Sequence, residues 1–241
     1  YNRRTDSLAM LAVYKALKGE DWMKPWNTKK PMTEWTGVIL EEIEGEQRIV
    51  GLSLNDFKLS GDLANEIGNL RELRSLKVGG MGKVYKCPNS LINLRKLETL
   101  DVNFSDGTEW FLPNDMSSML SLKVFKPAAL KVPIESFAGF YTLPALEELN
   151  LSTMYLIGDL PTGISKMKSL KSLSLAGTNI YSLPDDIGEL AENLTALDLR
   201  GCQSLASLGT SFSKLVNLTS LTLSGCKVLK ELPEGFGNLS K

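Results

Sequence analysis

The acidic residues Glu98, Asp101 and Glu148 come nearest in this sequence to a catalytic arrangement. A pair of carboxylates can supply the acid and the base of glycoside hydrolysis. Lysines occupy neighbouring positions, among them Lys123 and Lys126, so salt pairing is the simpler account of these carboxylates. The chain contains no histidine, which excludes every site that uses imidazole as a base or as a metal ligand. We therefore expect a protein with no enzymatic activity, no cofactor and no metal.

The three cysteines, Cys87, Cys202 and Cys226, are an odd number and too few for a dense disulfide framework. Cys202 and Cys226 are 24 residues apart, and a disulfide between them is geometrically conceivable. We favour buried thiols, because both side chains are expected to point inward in parallel. A metal site is poorer still with two thiols and no histidine.

A leucine pattern with a period of 24 residues must position these side chains. Leu149 and Leu151 return 24 residues later as Leu173 and Leu175. Residues two apart on a strand point to one face, and one such unit is too short to bury its leucines without a copy on each side. The units begin at Ile49, Leu73, Leu97, Leu122, Leu146, Leu170, Leu194 and Leu218. We predict an α/β solenoid of eight repeats over residues 49–241, with a parallel sheet on its concave side.

Residues 1–48 lie outside the repeat and are predicted to cap the open end of the solenoid. Thr5-Asp6-Ser7 offers helix N-cap chemistry, Leu8 and Leu11 begin an apolar stripe, and Gly19 is a plausible stop. Two strand-like runs on either side of Glu44-Gly45-Glu46 predict a hairpin.

Three tryptophans, Trp22, Trp26 and Trp35, lie between the predicted helix and the predicted hairpin. They could bind a sugar or an aromatic ligand. We favour core packing, because the end of a solenoid must be covered.

The units resemble leucine-rich repeats, and several resemble the plant-specific class. Residues 49–70, IVGLSLNDFKLSGDLANEIGNL, match that class except at the ninth residue, and residues 146–167 match it again. Trp35-Thr36-Gly37-Val38 is similar to the N-terminal cap of plant receptor ectodomains, although the paired cysteines of such caps are absent. That departure suits the plant-like repeat proteins of bacteria, especially surface or secreted proteins of gut Bacteroidetes, whereas the last two units resemble plant intracellular immune receptors. The resemblance implies a right-handed horseshoe that binds a partner.

The ninth residue of a repeat in this family is usually an asparagine that bonds neighbouring backbone. None of the eight is asparagine here, so we predict a turn held by packing more than by side-chain hydrogen bonds. These residues are Phe57, Met81, Ser105, Leu130, Met154, Thr178, Cys202 and Cys226.

Pro127 replaces the leucine at the sixth position of its repeat and cannot donate a ladder hydrogen bond. We predict a break in the sheet over residues 126–129. The preceding repeat has 25 residues and contains Trp110-Phe111-Leu112. Its extra residue is predicted to bulge on the convex side.

The concave strand residues are the candidate binding surface. Charges alternate in sign at the second position from Arg74 to Lys171, which predicts a self-neutralising ladder across strands about 4.8 Å apart. Aromatic anchors are few and lie at the strand exits. The candidate residues are Arg74, Lys77, Glu98, Asp101, Phe104, Lys123, Lys126, Glu147, Asn150, Tyr155, Lys171 and Asp198.

The chain has 241 residues and a formal net charge of −1. This balance gives no excess of positive charge for binding nucleic acid or an anionic membrane. No apolar run approaches the ~20 residues of a membrane span. The chain begins at Tyr1, so we expect that a leader was removed or that the chain was excised from a longer one. The leucines of the last unit lack a predicted cover, so more chain, a partner or a second copy is expected there.

We therefore expect a binding module for a protein or glycan, secreted or at the cell surface. The alternative is the sensing part of a larger receptor or effector.

Overall fold

The computed structural model describes residues 1–55, 57–80 and 82–239, with the backbone alone at residues 104–107, 129 and 238. Its α-helix is α1 (Arg3–Ala16). The strands are β1 (Val38–Ile43), β2 (Glu46–Asn55), β3 (Leu59–Gly61), β4 (Ser75–Gly80), β5 (Gly82–Val84), β6 (Thr99–Glu109), β7 (Val124–Lys131), β8 (Glu148–Asn150), β9 (Ile157–Asp159), β10 (Ser172–Ser174), β11 (Asn179–Ser182), β12 (Ala196–Asp198) and β13 (Ser220–Thr222). The 3-10 segments are Gly19–Asp21, Met32–Glu34, Asn65–Asn69, Asn89–Asn93, Ile134–Thr142, Ile164–Lys166, Ile187–Leu190, Phe212–Lys214 and Phe236–Asn238.

The main sheet has nine strands within the described residues, in the order β1-β2-β4-β6-β7-β8-β10-β12-β13. β1 is antiparallel to β2, and every later pair is parallel. Equivalent leucines pair across the strands, as Leu173 does with Leu149 on one side and Leu197 on the other. The predicted solenoid with a parallel sheet is therefore confirmed.

The core is a column of leucines shared between neighbouring repeats. Leu173 in β10 and Leu175 just after it are buried, as are Ile164 in a 3-10 segment and Met167 at the end of that segment. A 3-10 turn on the convex side returns the chain in few residues. Burying each such side chain contributes about 1.5–3 kcal/mol, and every layer needs its neighbour to exclude water.

A second row of short strands runs along one flank of the solenoid, and we call it the lateral row. β3 pairs with β5, Lys86 bridges to Glu109, and Glu109 pairs with Lys131. Further along, β9 pairs with β11. Within the described residues the row is interrupted between Lys131 and β9.

The helix α1 begins earlier than the sequence predicted. Asn2 is the N-cap, and its side chain accepts a hydrogen bond from the amide of Thr5, whose hydroxyl accepts one from the amide of Asn2. The predicted apolar stripe is shifted, because Leu8 is 56% exposed while Met10 and Val13 are buried. The helix ends at Ala16, before the predicted stop at Gly19.

The three tryptophans of residues 1–48 pack into the core, as predicted. Trp26 stacks on Trp35 with ring centroids 5.0 Å apart, and Trp22 meets Trp26 edge to face. Each indole N–H donates to a backbone carbonyl: Trp22 to Leu17, Trp26 to Thr36 and Trp35 to Asn27. Buried rings with satisfied donors explain why the segment holds together without cysteines.

A buried ion pair fastens α1 to the first strand of the solenoid. The Arg48 guanidinium donates to both carboxylate oxygens of Asp6, at 2.8 and 3.1 Å, and the Ile49 amide donates to Asp6 Oδ2 at 3.1 Å. Both residues are almost fully buried. The hydrogen bond to Asp6 raises the pKa of Arg48, so the guanidinium stays charged.

The break predicted at Pro127 is present on one side of its strand only. β6 pairs with β7 through Pro127 itself, so the ladder is regular on that side. The described pairing with β8 ends at Phe125 and Leu149. In later repeats the amide at the sixth position donates to the next strand, as Leu175 does to the carbonyl of Asp198. A proline has no proton for that bond.

The extra length of the 25-residue repeat was predicted on the convex side, but the structure places it within β6. The register between β6 and β7 shifts between Asn103 and Thr108. Trp110 in this repeat is buried and donates from Nε1 to Asn89 Oδ1 at 3.0 Å.

The ninth-position residues make more hydrogen bonds than predicted. The Cys202 thiol donates to the carbonyl of Leu175 at 3.1 Å, and the Cys226 thiol donates to that of Leu199 at the same distance. Thr178 also donates to Leu175. Both thiols are free, as favoured, and burial raises the pKa of Cys202. The thiols thus take the place of the absent asparagines.

Replacing Asp6 by asparagine tests the buried ion pair. Asp6→Asn keeps an oxygen for the Ile49 amide but leaves Arg48 only the carboxylate of Glu72, 3.9 Å from its Nη1. The free energy of unfolding should therefore fall by about 3 kcal/mol. Urea denaturation followed by circular dichroism measures it. Asp21→Asn, at an exposed carboxylate, is the control, and a loss below about 1 kcal/mol for Asp6→Asn would contradict the account.

Replacing Pro127 by leucine tests the one-sided break. Pro127→Leu restores an amide that can donate to the carbonyl of Asn150. The free energy of unfolding should therefore rise by about 0.5–1.5 kcal/mol. Hydrogen exchange should show a protected amide at position 127. An unprotected amide there would show that the proline is not the cause of the gap; Pro133→Ala, at an exposed proline, is the control.

Candidate binding surface

The concave strands bring some of the candidate residues into register. Lys77 pairs with Asp101 on the next strand, and Asp101 pairs with Lys126 on the one after. Asn150 and Asp198 flank Ser174 in the later repeats. Lys126 and Asn150 are not paired, because the described pairing of β7 with β8 ends before them. The fifth-position column is therefore divided in two at Pro127.

The alternating charge ladder predicted at the second position forms only in part. Lys171 binds Glu147 at 2.8 Å, and this hydrogen bond and charge lower the pKa of the Glu147 carboxyl. Arg74 instead donates to both carboxylate oxygens of Glu41 on β1, the nearer at 2.7 Å. The hairpin strand next to β2 supplies this partner, which the repeat frame alone could not reveal.

The second-position residues lie just before the strands, not in them. β4, β6 and β7 begin at Ser75, Thr99 and Val124, one residue after Arg74, Glu98 and Lys123. These three side chains therefore line the entry edge of the sheet. The outward-facing strand residues are those at the third and fifth positions, because side chains alternate along a strand.

Charged side chains of the central repeats remain open for a partner. Within the described residues, no ion pair shorter than 4 Å involves Lys77, Glu98, Asp101 or Lys123. Lys126 approaches Glu148 at 3.8 Å. Glu148 thus faces a lysine, which agrees with the simpler reading of the carboxylates.

The third-position residues, most of them small, form a column that the sequence reasoning missed. In the C-terminal repeats they leave a polar depression of about 310 Å³ that includes Ser172, Ser174 and Asp198. Asp198 is held by Arg200 at 3.0 Å. The period of two along each strand is the signal that could have identified the column. Its members are Gly51, Ser75, Thr99, Val124, Glu148, Ser172, Ala196 and Ser220.

An apolar depression of about 330 Å³ lies where the lateral row is interrupted. Phe111 and Tyr155 form part of its lining and are 69% and 57% exposed. Val132 and Pro133 also line it, and Glu109 and Lys131 supply one charge of each sign. Phe111 was not among the predicted binding residues. Trp110 and Leu112 on either side of it are buried, so Phe111 points outward.

Further exposed apolar side chains continue along this flank. Tyr85 follows β5, Ile157 begins β9 and Tyr181 lies in β11, and each is about half exposed or more. A row of exposed large apolar groups on one side of a protein commonly marks an interaction site.

The side chain of Phe104, one of the candidate binding residues, lies outside the described part of the chain. In the part of the chain that the structure describes, no three His, Cys, Asp or Glu side chains form a cluster suited to a metal ion, and no helix is long and apolar enough to cross a bilayer.

The chain is similar in sequence to plant disease resistance proteins. Disease resistance-like protein DSC1 of Arabidopsis thaliana is 29% identical over 172 residues, covering 70% of this chain and 14% of that protein. TMV resistance protein N of Nicotiana glutinosa is 34% identical over 159 residues, covering 61% of this chain and 13% of that protein. The chain thus spans 13–14% of the length of these curated relatives.

The fold matches the LRR ectodomain of the plant membrane receptor kinase GASSHO1/SCHENGEN3 from Arabidopsis thaliana, solved with CASPARIAN STRIP INTEGRITY FACTOR 2. The TM-score is 0.68 at 18% identity, and the match covers 97% of this chain and 31% of that one. At this identity the likeness shows the fold alone. The Leucine Rich Repeat family model matches residues 217–239. The repeat match and the fold together show that the chain has the architecture of a leucine-rich-repeat solenoid.

Proposed function

We propose that the chain is a non-enzymatic module that binds a protein partner through the concave ends of β6 and β7 and the apolar depression at Phe111 and Tyr155. The observation that carries the proposal is the continuity of these two strands. β6 runs from Thr99 to Glu109 and β7 from Val124 to Lys131, so both pass from the concave sheet into the lateral row. One extended segment of a partner can follow them.

The two ends of this path offer different chemistry. Asp101 and Lys126 lie side by side on the concave part, and Asp101 has no ion pair among the described residues. The far end offers the exposed rings of Phe111 and Tyr155 around a depression that suits one apolar side chain. Aromatic groups around a concavity are typical of the residues that dominate binding energy, and charges nearby fix orientation.

The apolar lining favours a peptide side chain over a glycan. A sugar is recognised through many polar groups, whereas Phe111, Val132, Pro133 and Tyr155 present mainly carbon to the depression. The receptor kinase ectodomain named above, whose fold matches, was solved with a partner, and this supports recognition of a protein or peptide here.

We infer an extracellular or cell-surface setting from the likeness to a receptor ectodomain. The alternative, a sensing part of a larger receptor or effector, is supported by the much greater length of the curated relatives. We do not propose the bacterial setting that the cap led us to expect, because the relatives named above are plant proteins. A second copy bound at the C-terminal repeat stays a prediction.

Selection of binding peptides from a displayed random library tests the proposal. Peptides enriched on the unaltered chain should lose about tenfold or more in affinity for Phe111→Ser/Tyr155→Ser, because both rings of the anchor site are gone. Fluorescence anisotropy of a labelled peptide measures the dissociation constant.

The matched control is Leu120→Ser, which removes an apolar group that is 52% exposed outside the depression and its lining. Its affinity should equal that of the unaltered chain. Equal weakening by Leu120→Ser, or full binding by the double variant, would remove the depression from the proposed site.

A further inference from the structure

Three lysines surround a second depression, at the other end of the lateral row. Lys18, Lys58 and Lys83 line a space of about 600 Å³ together with Asp21. They come from the end of α1, from the turn before β3 and from β5. All three side chains are exposed. The formal charge around the depression is therefore positive.

The fold holds these lysines together by two close backbone contacts. A Cβ on Gly61 would lie 2.1 Å from the carbonyl oxygen of Ala16, and a Cβ on Gly82 would lie 2.1 Å from that of Leu59. Both glycines have positive φ angles, 136° and 105°. Only glycine permits this approach, which fixes the spacing between the helix end, β3 and β5.

Two of the three lysines adopt a backbone conformation that ordinarily belongs to glycine. Lys18 has φ 52° and Lys58 has φ 56°. A side chain in the left-handed region is disfavoured, and such residues are enriched at functional sites. Lys18 lies two residues after the last residue of α1, where a cation complements the helix dipole, but Lys58 follows no helix. The helix dipole therefore gives a structural reason for the cation at Lys18 but none for the one at Lys58.

The ammonium groups have no carboxylate partner among the described residues. No ion pair within 4 Å involves any of the three, and Lys83 Nζ lies 5.1 Å from the ring centroid of Tyr85. Lysine ammoniums are compact point charges that bind phosphate and sulfate oxygens. The volume lies in the range of small-ligand sites.

We propose that this depression binds the phosphate or sulfate ester group of a ligand, with Lys18, Lys58 and Lys83 as its cationic contacts. The site lies at the β3–β5 end of the lateral row and shares no lining residue with the depression at Phe111 and Tyr155, so it is independent of the surface proposed above for a protein partner.

Amide NMR of the 15N-labelled chain tests the site at constant ionic strength. Glucose 6-phosphate or glucose 6-sulfate should shift the amides of Lys58, Ser60 and Lys83 in a saturable way, whereas glucose and added chloride should not. The ester with the lower dissociation constant shows whether the site prefers a phosphate or a sulfate group. Shifts that grow without saturation, or that chloride reproduces, would overturn the proposal.

The variant Lys18→Gly/Lys58→Gly removes two cations at positions whose backbone suits glycine, so the fold should persist with an unchanged or higher melting temperature. Ester affinity should fall about tenfold or more. Thr153→Gly, at φ 63°, relieves a similar backbone without removing a lysine, and Lys166→Gln/Lys214→Gln removes two charges elsewhere. Undiminished affinity in the glycine double variant, or equal loss in either control, would refute the site.

Discussion

The stacking of each repeat on the next is the constraint on which the structure depends. A unit of about 24 residues encloses too little volume to hide its own leucines, so Leu149, Leu173 and Leu197 are buried only as consecutive layers. The parallel ladder fixes the spacing of those layers. Any residue that disturbs the ladder therefore changes the surface at the same place, and the two interesting surfaces of this chain arise at such disturbances.

Pro127 is one disturbance, and it acts on one side only because backbone amides of a parallel strand alternate in direction. Its neighbours Lys126 and Ala128 remain paired with β6, while the pairing with β8 ends at Phe125. The lateral row is interrupted in the same repeats, and Phe111 and Tyr155 line the depression that results. The missing amide proton of Pro127 thus occurs in the same repeats as the exposed rings of Phe111 and Tyr155.

Residues 1–48 contact the first repeats at several places. The bidentate pair of Asp6 and Arg48 is buried, so it holds α1 against β2 in one geometry. The hairpin strand β1 also places Glu41 over Arg74, which removes that arginine from the concave charges. The close approach of the helix end to β3 at Gly61 then brings Lys18 beside Lys58 and Lys83. Residues 1–48 in this way shape the first-repeat end of both the concave and the lateral surfaces.

The sequence by itself determined the repeat frame, the inward leucines, the free thiols and the buried tryptophans, because a period of 24 residues and a period of two leave few alternatives for a stack of strands. It missed the shifted face of α1, the outward Phe111 and the capture of Arg74 by Glu41. Those outcomes depend on which elements come to lie beside one another. Side chains such as Lys18, Lys58 and Lys83 are distant in the chain, and only the packed backbone brings them around one space.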